Sequence, residues 1–399
     1  MATIAENIQT LRSIKSDIKN AIIQKGGSVT DAFGTYAQAI TDLPSGGGGG
    51  TEIEDGLITR RISGTYYNDR VSRVGDGAFY ACGRLTSVNL QNCSYVGSSA
   101  FYNCGFLTSV NLPKCTFVNN NAFAVCTSLS FISLPNCTSL SQSAFNYCTS
   151  LKSVDLPLCE YVGADAFENC SSLISVNIPL CTSVDSYAFY YCSKLLSINL
   201  PNCLYAGEAA FRYCKSFTSV NLPLCTSIGG QAFAECEKLY FINLPKCSSV
   251  SYGAFANCVL LTSVNLPLCT SIGPQTFAYC YSLKSVDLPK CRYVSYNVFQ
   301  YCSSISMVKL PICSFIANRA FYSCGKLTQV YLNSVTSVTT ISSEAFYNCP
   351  NLTSIYVPAS LVDAFKVAPN WSSISSKIVA YREMVISPDP EGSSGPIID

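Results

Sequence analysis

A block of the form A-F-x-x-C, with Thr276 and Val298 replacing its Ala in two copies, recurs along most of this chain. Its Phe falls at Phe79, Phe101, Phe123, Phe145, Phe167, Phe189, Phe211, Phe233, Phe255, Phe277, Phe299, Phe321 and Phe346. Eleven of the twelve steps are 22 residues and the last is 25. Self-similarity at a fixed period of this size means a solenoid, in which each coil buries its apolar positions only against its neighbours. The 399 residues are therefore not divided into several globular units, as length alone suggests. Thirteen coils at a strand spacing of about 4.8 Å make a curved rod of roughly 60 Å.

The coil starting at Cys214 reads C-K-S-F-T-S-V-N-L-P-L-C-T-S-I-G-G-Q-A-F. Val220 and Leu222 alternate with Ser219 and Asn221, as a short strand with one buried face requires. The Pro that follows ends strand pairing, and I-G-G is turn chemistry. The A-F-x-x-C segment is expected to form a short helical or 3₁₀ turn on the opposite side, its Phe plugging the coil interior. The run from Phe217 to Cys225 fits L-x-x-L-x-L-x-x-N/C.

This pattern resembles the leucine-rich repeats of the BspA type, found in bacterial surface adhesins and in phage and prophage proteins. The resemblance covers about residues 53 to 386. It implies a solenoid of short parallel strands over 53–357 with an N-terminal cap, and a C-terminal cap over 358–386, in which Trp371 packs a helix around Leu361, Phe365 and Val367. Residues 387–399 read as a flexible tail.

The 24 cysteines fall in two series and nowhere else. Thirteen follow the plug Phe by three places, and eleven lie in blocks of the form L-P-x-C from Cys93 to Cys313, with Gln91 replacing the Pro in one copy and Ile178 the Leu in another. A disulfide ladder would need an oxidising compartment and paired sulfurs, yet both columns are odd in number and like side chains point in parallel. A metal array would need C-x-x-C pairs, which are absent. The remaining reading is that the thiols are small buried hydrophobes in narrow coil corners.

Composition excludes several function classes. There is no histidine, so Ser-His-Asp and Cys-His nucleophiles and histidine-bound zinc are ruled out. A net charge of +1 gives no electrostatic footprint for nucleic acid. No pair of acids recurs at a glycosidase spacing, although stacking can bring Asp165 near Asp185. We expect no enzyme activity, no cofactor and no metal.

Residues 1–43 lie outside the period. Thr3 and Glu6 form a capping box, and Ile4, Ile8, Leu11, Ile14, Ile18 and Ile22 trace one helical stripe that Gly26 and Gly27 end. A second helix is expected from Asp31 to about Ile40, closing a small helical hairpin. Residues 44–52, with Gly46 to Gly50, read as a flexible linker. So wide an apolar stripe on so small a hairpin is expected to self-associate, as a homo-oligomer guessed to be a trimer, or to dock on something larger. It has neither signal-peptide nor transmembrane character, so no membrane insertion is expected. The segment is similar to N-terminal pieces of fibre-like virion proteins in tailed phages of gut bacteria. That resemblance implies attachment to other virion proteins and a place on the virion surface.

The outward strand columns consist mostly of Ser and Asn, which can bond one another from coil to coil. Their interruptions mark candidate ligand contacts: Phe131 and Phe241, then Met307, Lys309, Gln329, Tyr331 and Tyr356 towards the C-terminal end. Tyrosines preceding a Cys, such as Tyr191, Tyr213, Tyr279 and Tyr301, mark the opposite face. The reading is a non-enzymatic fibre, spike or decoration protein contacting a bacterial surface glycan or protein. A bacterial cell-surface adhesin and a purely structural virion spacer are the alternatives.

Overall fold

The computed structural model describes residues 51–53 and 62–382. The helical hairpin, its stripe from Ile4 to Ile22, most of the linker and the C-terminal tail lie outside the described residues. The first strand, Thr51–Ile53, starts inside the stretch read as linker and pairs in parallel with Val71–Val74.

Each coil carries two strands, one more than the alternation of apolar residues indicates. The expected one, for example Ser219–Asn221, turns Val220 inward. The second is only two residues long, as in Tyr95–Val96, Ser227–Ile228 and Tyr293–Val294, and it overlaps the stretch read as a turn. Two residues are too few to display a period, but stacking every 22 residues gives each a parallel neighbour on both sides. With the capping strands they form one continuous sheet of 14 strands in chain order. The first-strand ladder, by contrast, is broken into five sheets. The four gaps follow Ser109–Asn111, Ser175–Asn177, Ser219–Asn221 and Ser263–Asn265. At those gaps Val110, Val176, Val220 and Val264 are only partly buried, whereas Val88, Ile132 and Val154 at the same place elsewhere are fully enclosed.

The plug segment is not helical. Around Phe101, the N–H groups of Ser99, Phe101 and Asn103 donate to Asn120, Ala122 and Ala124 of the next coil at 2.7–2.8 Å. Ser99 and Asn103 take left-handed φ of 54° and 58°, and the same two positions do so in most coils. The left-handed residues flanking the Phe let every second N–H point along the solenoid axis to the next coil, while those between, Ala100, Tyr102 and Cys104, bond back within their own coil, a gain that offsets the strain of φ > 0. The expected helical or 3₁₀ turn fails because a helix would direct those N–H groups into its own coil.

Inside, the thirteen plug rings form one column, with centroids 4.8–5.6 Å apart and planes within 13° at every step. The three-residue insertion does not disturb it, since Phe321 and Phe346 still stack at 5.2 Å. Where Thr276 replaces the Ala, its hydroxyl donates to the carbonyls of Gly273 and Ser251, so a buried polar group is satisfied.

All 24 cysteines are buried and none forms a disulfide. From Cys104 onward the plug-side thiols donate to the Phe carbonyl of the preceding coil at 3.0–3.3 Å. The other series donates to the carbonyl two residues on, at 3.2–3.4 Å. The small-hydrophobe reading therefore needs an addition: Cys fits the corner and also supplies a weak donor that Ala lacks. Burial pushes Cys137 up to about 11 and Cys126 up to about 12. At the column's end the sense reverses for Cys349, lowered chiefly by a hydrogen bond from Cys324.

The C-terminal cap closes the cut core. Trp371 is fully enclosed, packs against Phe365 and Phe346, and donates its indole N–H to the Thr339 carbonyl at 2.6 Å. The helix spans Val362–Val367. Its Val367 is 80% exposed, contrary to the expectation that it packs beneath Trp371, because the helix turns only Phe365 fully inward. The sequence also gave no sign of strand Ile378–Ala380, which pairs with Ser354–Val357 and covers the sheet edge.

Candidate functional site

The Asn column of the first-strand face is bonded from coil to coil, whereas in the Ser column, among the described residues, only Ser87 has such a bond, to Thr65. Asn111, Asn221 and Asn265 donate to Asn89, Asn199 and Asn243 at 2.7–3.1 Å, and Asn177 donates to Asp155. Threonines beside the strands add hydroxyl donors, for example Thr108 to Thr86 O and Thr218 to Leu196 O. These amides and threonine hydroxyls are structural, as stacked polar groups should be.

The residues that interrupt the columns do not form one patch. Phe131 and Phe241 are five coils apart, roughly 24 Å at the usual strand spacing. They are 50% and 45% exposed, and each lies on the first strand after a gap in the ladder. Among the described residues neither ring stacks on another aromatic, so their faces are open to a ligand.

The C-terminal group is held together. Strands Ser285–Asp287, Met307–Lys309, Gln329–Tyr331 and Ser354–Val357 pair in register, aligning Asp287, Lys309, Tyr331 and Tyr356. Lys309 lies 4.0 Å from Asp287, and the Tyr331 hydroxyl donates to Gln329 Oε1 at 3.2 Å. Tyr331 and Tyr356 stack on each other at 4.6 Å, with Tyr381 edge-on to Tyr331. Both rings are half-buried, and burial with the neighbouring Tyr356 raises the Tyr331 hydroxyl's pKa. A pair stacked this way offers edges and hydroxyls more than open faces.

On the plug side, tyrosines form two clusters. Tyr190 meets Tyr187, Tyr191 and Tyr213 edge-on, while Arg212 lies over Tyr213 and reaches Gln231. Farther on, Tyr279 stacks on Tyr301 and Tyr322 on Tyr347. The two acids considered as a pair have separate partners: Tyr161 donates to Asp185 and Gln142 to Asp165.

One depression lay outside the sequence reading. A pocket of about 480 Å³ opens on the outer face of the 14-stranded sheet, lined by Ser249, Ser251, Tyr252, Ser271, Pro274 and Tyr296 among others. Tyr252 is braced there, its hydroxyl donating to Glu208 Oε1 two coils back at 2.5 Å. Its ring lies over Gly230, where a Cβ would come within 2.1 Å of it, so a larger residue at 230 would displace the ring. The available signal was a column spaced every 22 residues, Glu208, Gly230, Tyr252, Pro274 and Tyr296, in which bulk and absence of bulk alternate.

The model of the BspA type leucine rich repeat region matches in six copies, over residues 59–159, 138–262 and 248–367. The chain belongs to this family. No curated protein sequence matches it. Among solved structures, a leucine-rich repeat protein from Bacteroides ovatus superposes with a TM-score of 0.60 at 23% identity, over 78% of this chain and 88% of that one. A leucine rich cell surface protein from Faecalibacterium prausnitzii gives 0.42 at 24%, over 79% and 91%. A leucine-rich repeat protein from Eubacterium ventriosum gives 0.43 at 18%, over 72% and 88%. The Bacteroides likeness supports the fold of the BspA-type array, and no enzymatic family is indicated.

Proposed function

We propose that this BspA-type array is a non-catalytic adhesion protein that contacts a glycan or protein on a bacterial surface. The observation that carries this reading is the pair Phe131 and Phe241. On the same face the Asn column bonds from coil to coil and Tyr331 stacks on Tyr356, whereas these two rings are about half exposed and stack on no other aromatic among the described residues. Exposed aromatics in a polar setting are what recognition surfaces use. The stacked Tyr331 and Tyr356, with Lys309, Gln329 and Met307, form a second contact area.

The carrier is a phage virion, with residues 1–43 attaching the array to other virion proteins and joining copies of the chain. The similarity of that segment to virion fibre pieces supports this, and display on a bacterial envelope is the competing placement. Mass spectrometry of purified particles and of host envelopes separates them: finding the chain in envelopes and never in particles rejects the virion placement. The adhesion reading is tested by adsorbing the purified chain to host cells. Phe131→Ser with Phe241→Ser is expected to cut retention at least tenfold, and Tyr331→Ser with Tyr356→Ser to weaken it further. Unchanged retention in both double variants rejects these surfaces.

A further inference from the structure

The pocket on the outer face of the 14-stranded sheet is built from residues of three consecutive coils. Ser249, Ser251 and Tyr252 come from one, Ser271, Gly273, Pro274 and Gln275 from the next, and Tyr296 from the third. In the column that becomes the second-strand outer face, Tyr205 and Tyr293 stand on either side of Ser227, Ser249 and Ser271. Three small residues between larger ones leave a trough. Tyr252 and Tyr296, two coils apart, are 40% and 50% exposed, and Pro274 lies between them.

The chemistry of the lining is specific. No Asp, Glu, Lys or Arg lines it, so it offers nothing to pair with a charged ligand. Among the described residues, the hydroxyls of Ser249, Ser251 and Ser271 and the amide of Gln275 have no side-chain hydrogen-bond partner in the protein. The threonine hydroxyls beside the first strands, by contrast, are spent on carbonyls of the neighbouring coil, as with Thr108 and Thr218. Tyr252 is fixed in place by Glu208 and by its seat on Gly230, so little ordering is left for binding to impose. A few convergent polar groups beside aromatic walls, in a volume of this size, are the make-up of a small-ligand site.

We propose that this pocket holds a ring of an uncharged saccharide. A pyranose has an apolar C–H face and a rim of hydroxyls; the former suits Tyr252, Tyr296 and Pro274, the latter the serine hydroxyls and the Gln275 amide. The inference rests on the adhesion reading and deepens it, adding a glycan site on the second-strand face to the contacts proposed on the first.

The test uses the full chain on an array of neutral oligosaccharides of glucose, galactose, mannose and N-acetylglucosamine, with uronic acid oligosaccharides and unglycosylated peptides alongside. Ser271→Tyr fills the pocket with a residue the same column already accepts at Tyr161, Tyr205 and Tyr293. Ser183→Tyr is the matched control in that column outside the pocket, and Tyr296→Ala removes one wall. The native chain and Ser183→Tyr are expected to bind a neutral oligosaccharide. Ser271→Tyr and Tyr296→Ala should lose at least tenfold in affinity, with unchanged circular dichroism and melting temperature. Binding only to acidic sugars or peptides, no saccharide binding by the native chain, or full binding by Ser271→Tyr overturns the proposal. Cell adsorption keeps the two readings apart. Native adsorption that survives Ser271→Tyr leaves the adhesion reading standing and removes this site, whereas a native chain that adsorbs to no host cell removes the adhesion reading.

Discussion

Replacing Phe233 by Ala probes whether the plug column holds the array together. The ring is fully enclosed and stacks on Phe211 at 5.1 Å and on Phe255 at 5.5 Å. Truncating a buried Phe costs about 3–5 kcal/mol from lost transfer energy and the residual cavity. The upper end is expected here, because each aromatic pair adds about 0.5–1.5 kcal/mol beyond its buried area and two pairs are lost. Phe346 is the internal comparison: it is only partly buried, stacks on Phe321, and meets Trp371 at a 45° tilt and 6.3 Å. Its truncation should cost clearly less. A long array unfolds coil by coil, so a single global free energy is a poor measure. Hydrogen exchange read by mass spectrometry gives the local value. At about 1.4 kcal/mol per decade, amides of the coils containing Phe211, Phe233 and Phe255 should lose roughly two to three and a half decades of protection. The segment before Phe145 should change far less, since each coil contacts only its neighbours. A loss below one decade around Phe233, or an equal loss along the whole array, would falsify the account of a neighbour-coupled plug column.

Three further outcomes follow from the same geometry. Folded thiols such as Cys137 and Cys126 titrate above an unfolded thiol, whose pKa is about 8.5, so above that pH the unfolded chain sheds protons that the folded chain keeps. Stability should therefore be flat below pH 8 and fall as pH rises towards 11; melting temperatures that stay level to pH 11 contradict the buried-thiol assignment. In the native state, alkylation at pH 8 should reach Cys349 before any other cysteine, as peptide mapping can show. Trp371→Phe leaves the Thr339 carbonyl without its indole donor and should destabilise the C-terminal cap by about 1–3 kcal/mol, read as faster exchange after residue 339 with the central coils unchanged.

Much of the core was legible before any coordinates, for a simple reason. A solenoid repeats one environment, so Phe, Leu and Cys at fixed offsets mark the same buried place thirteen times, and noise at one coil is averaged out by the others. The candidate surface was legible only as departures from that regularity. Phe131 and Phe241 could be picked out by identity, but not that their faces are open, nor that Tyr331 and Tyr356 turn theirs to each other. The N-terminal stripe and its partners rest on sequence alone.

The amino-acid sequence by itself determined the period, the number of coils, the plug Phe, the two thiol columns and the polar first-strand face, because each depends on contacts that recur at 22 residues. Only the tertiary structure decided the second strand, the left-handed turns, the gaps in the first-strand ladder and the pocket between Tyr252 and Tyr296. Those features depend on hydrogen bonds and spacings between one coil and the next, where a two-residue strand has no internal pattern. A site shared by three coils likewise has no contiguous sequence to announce it.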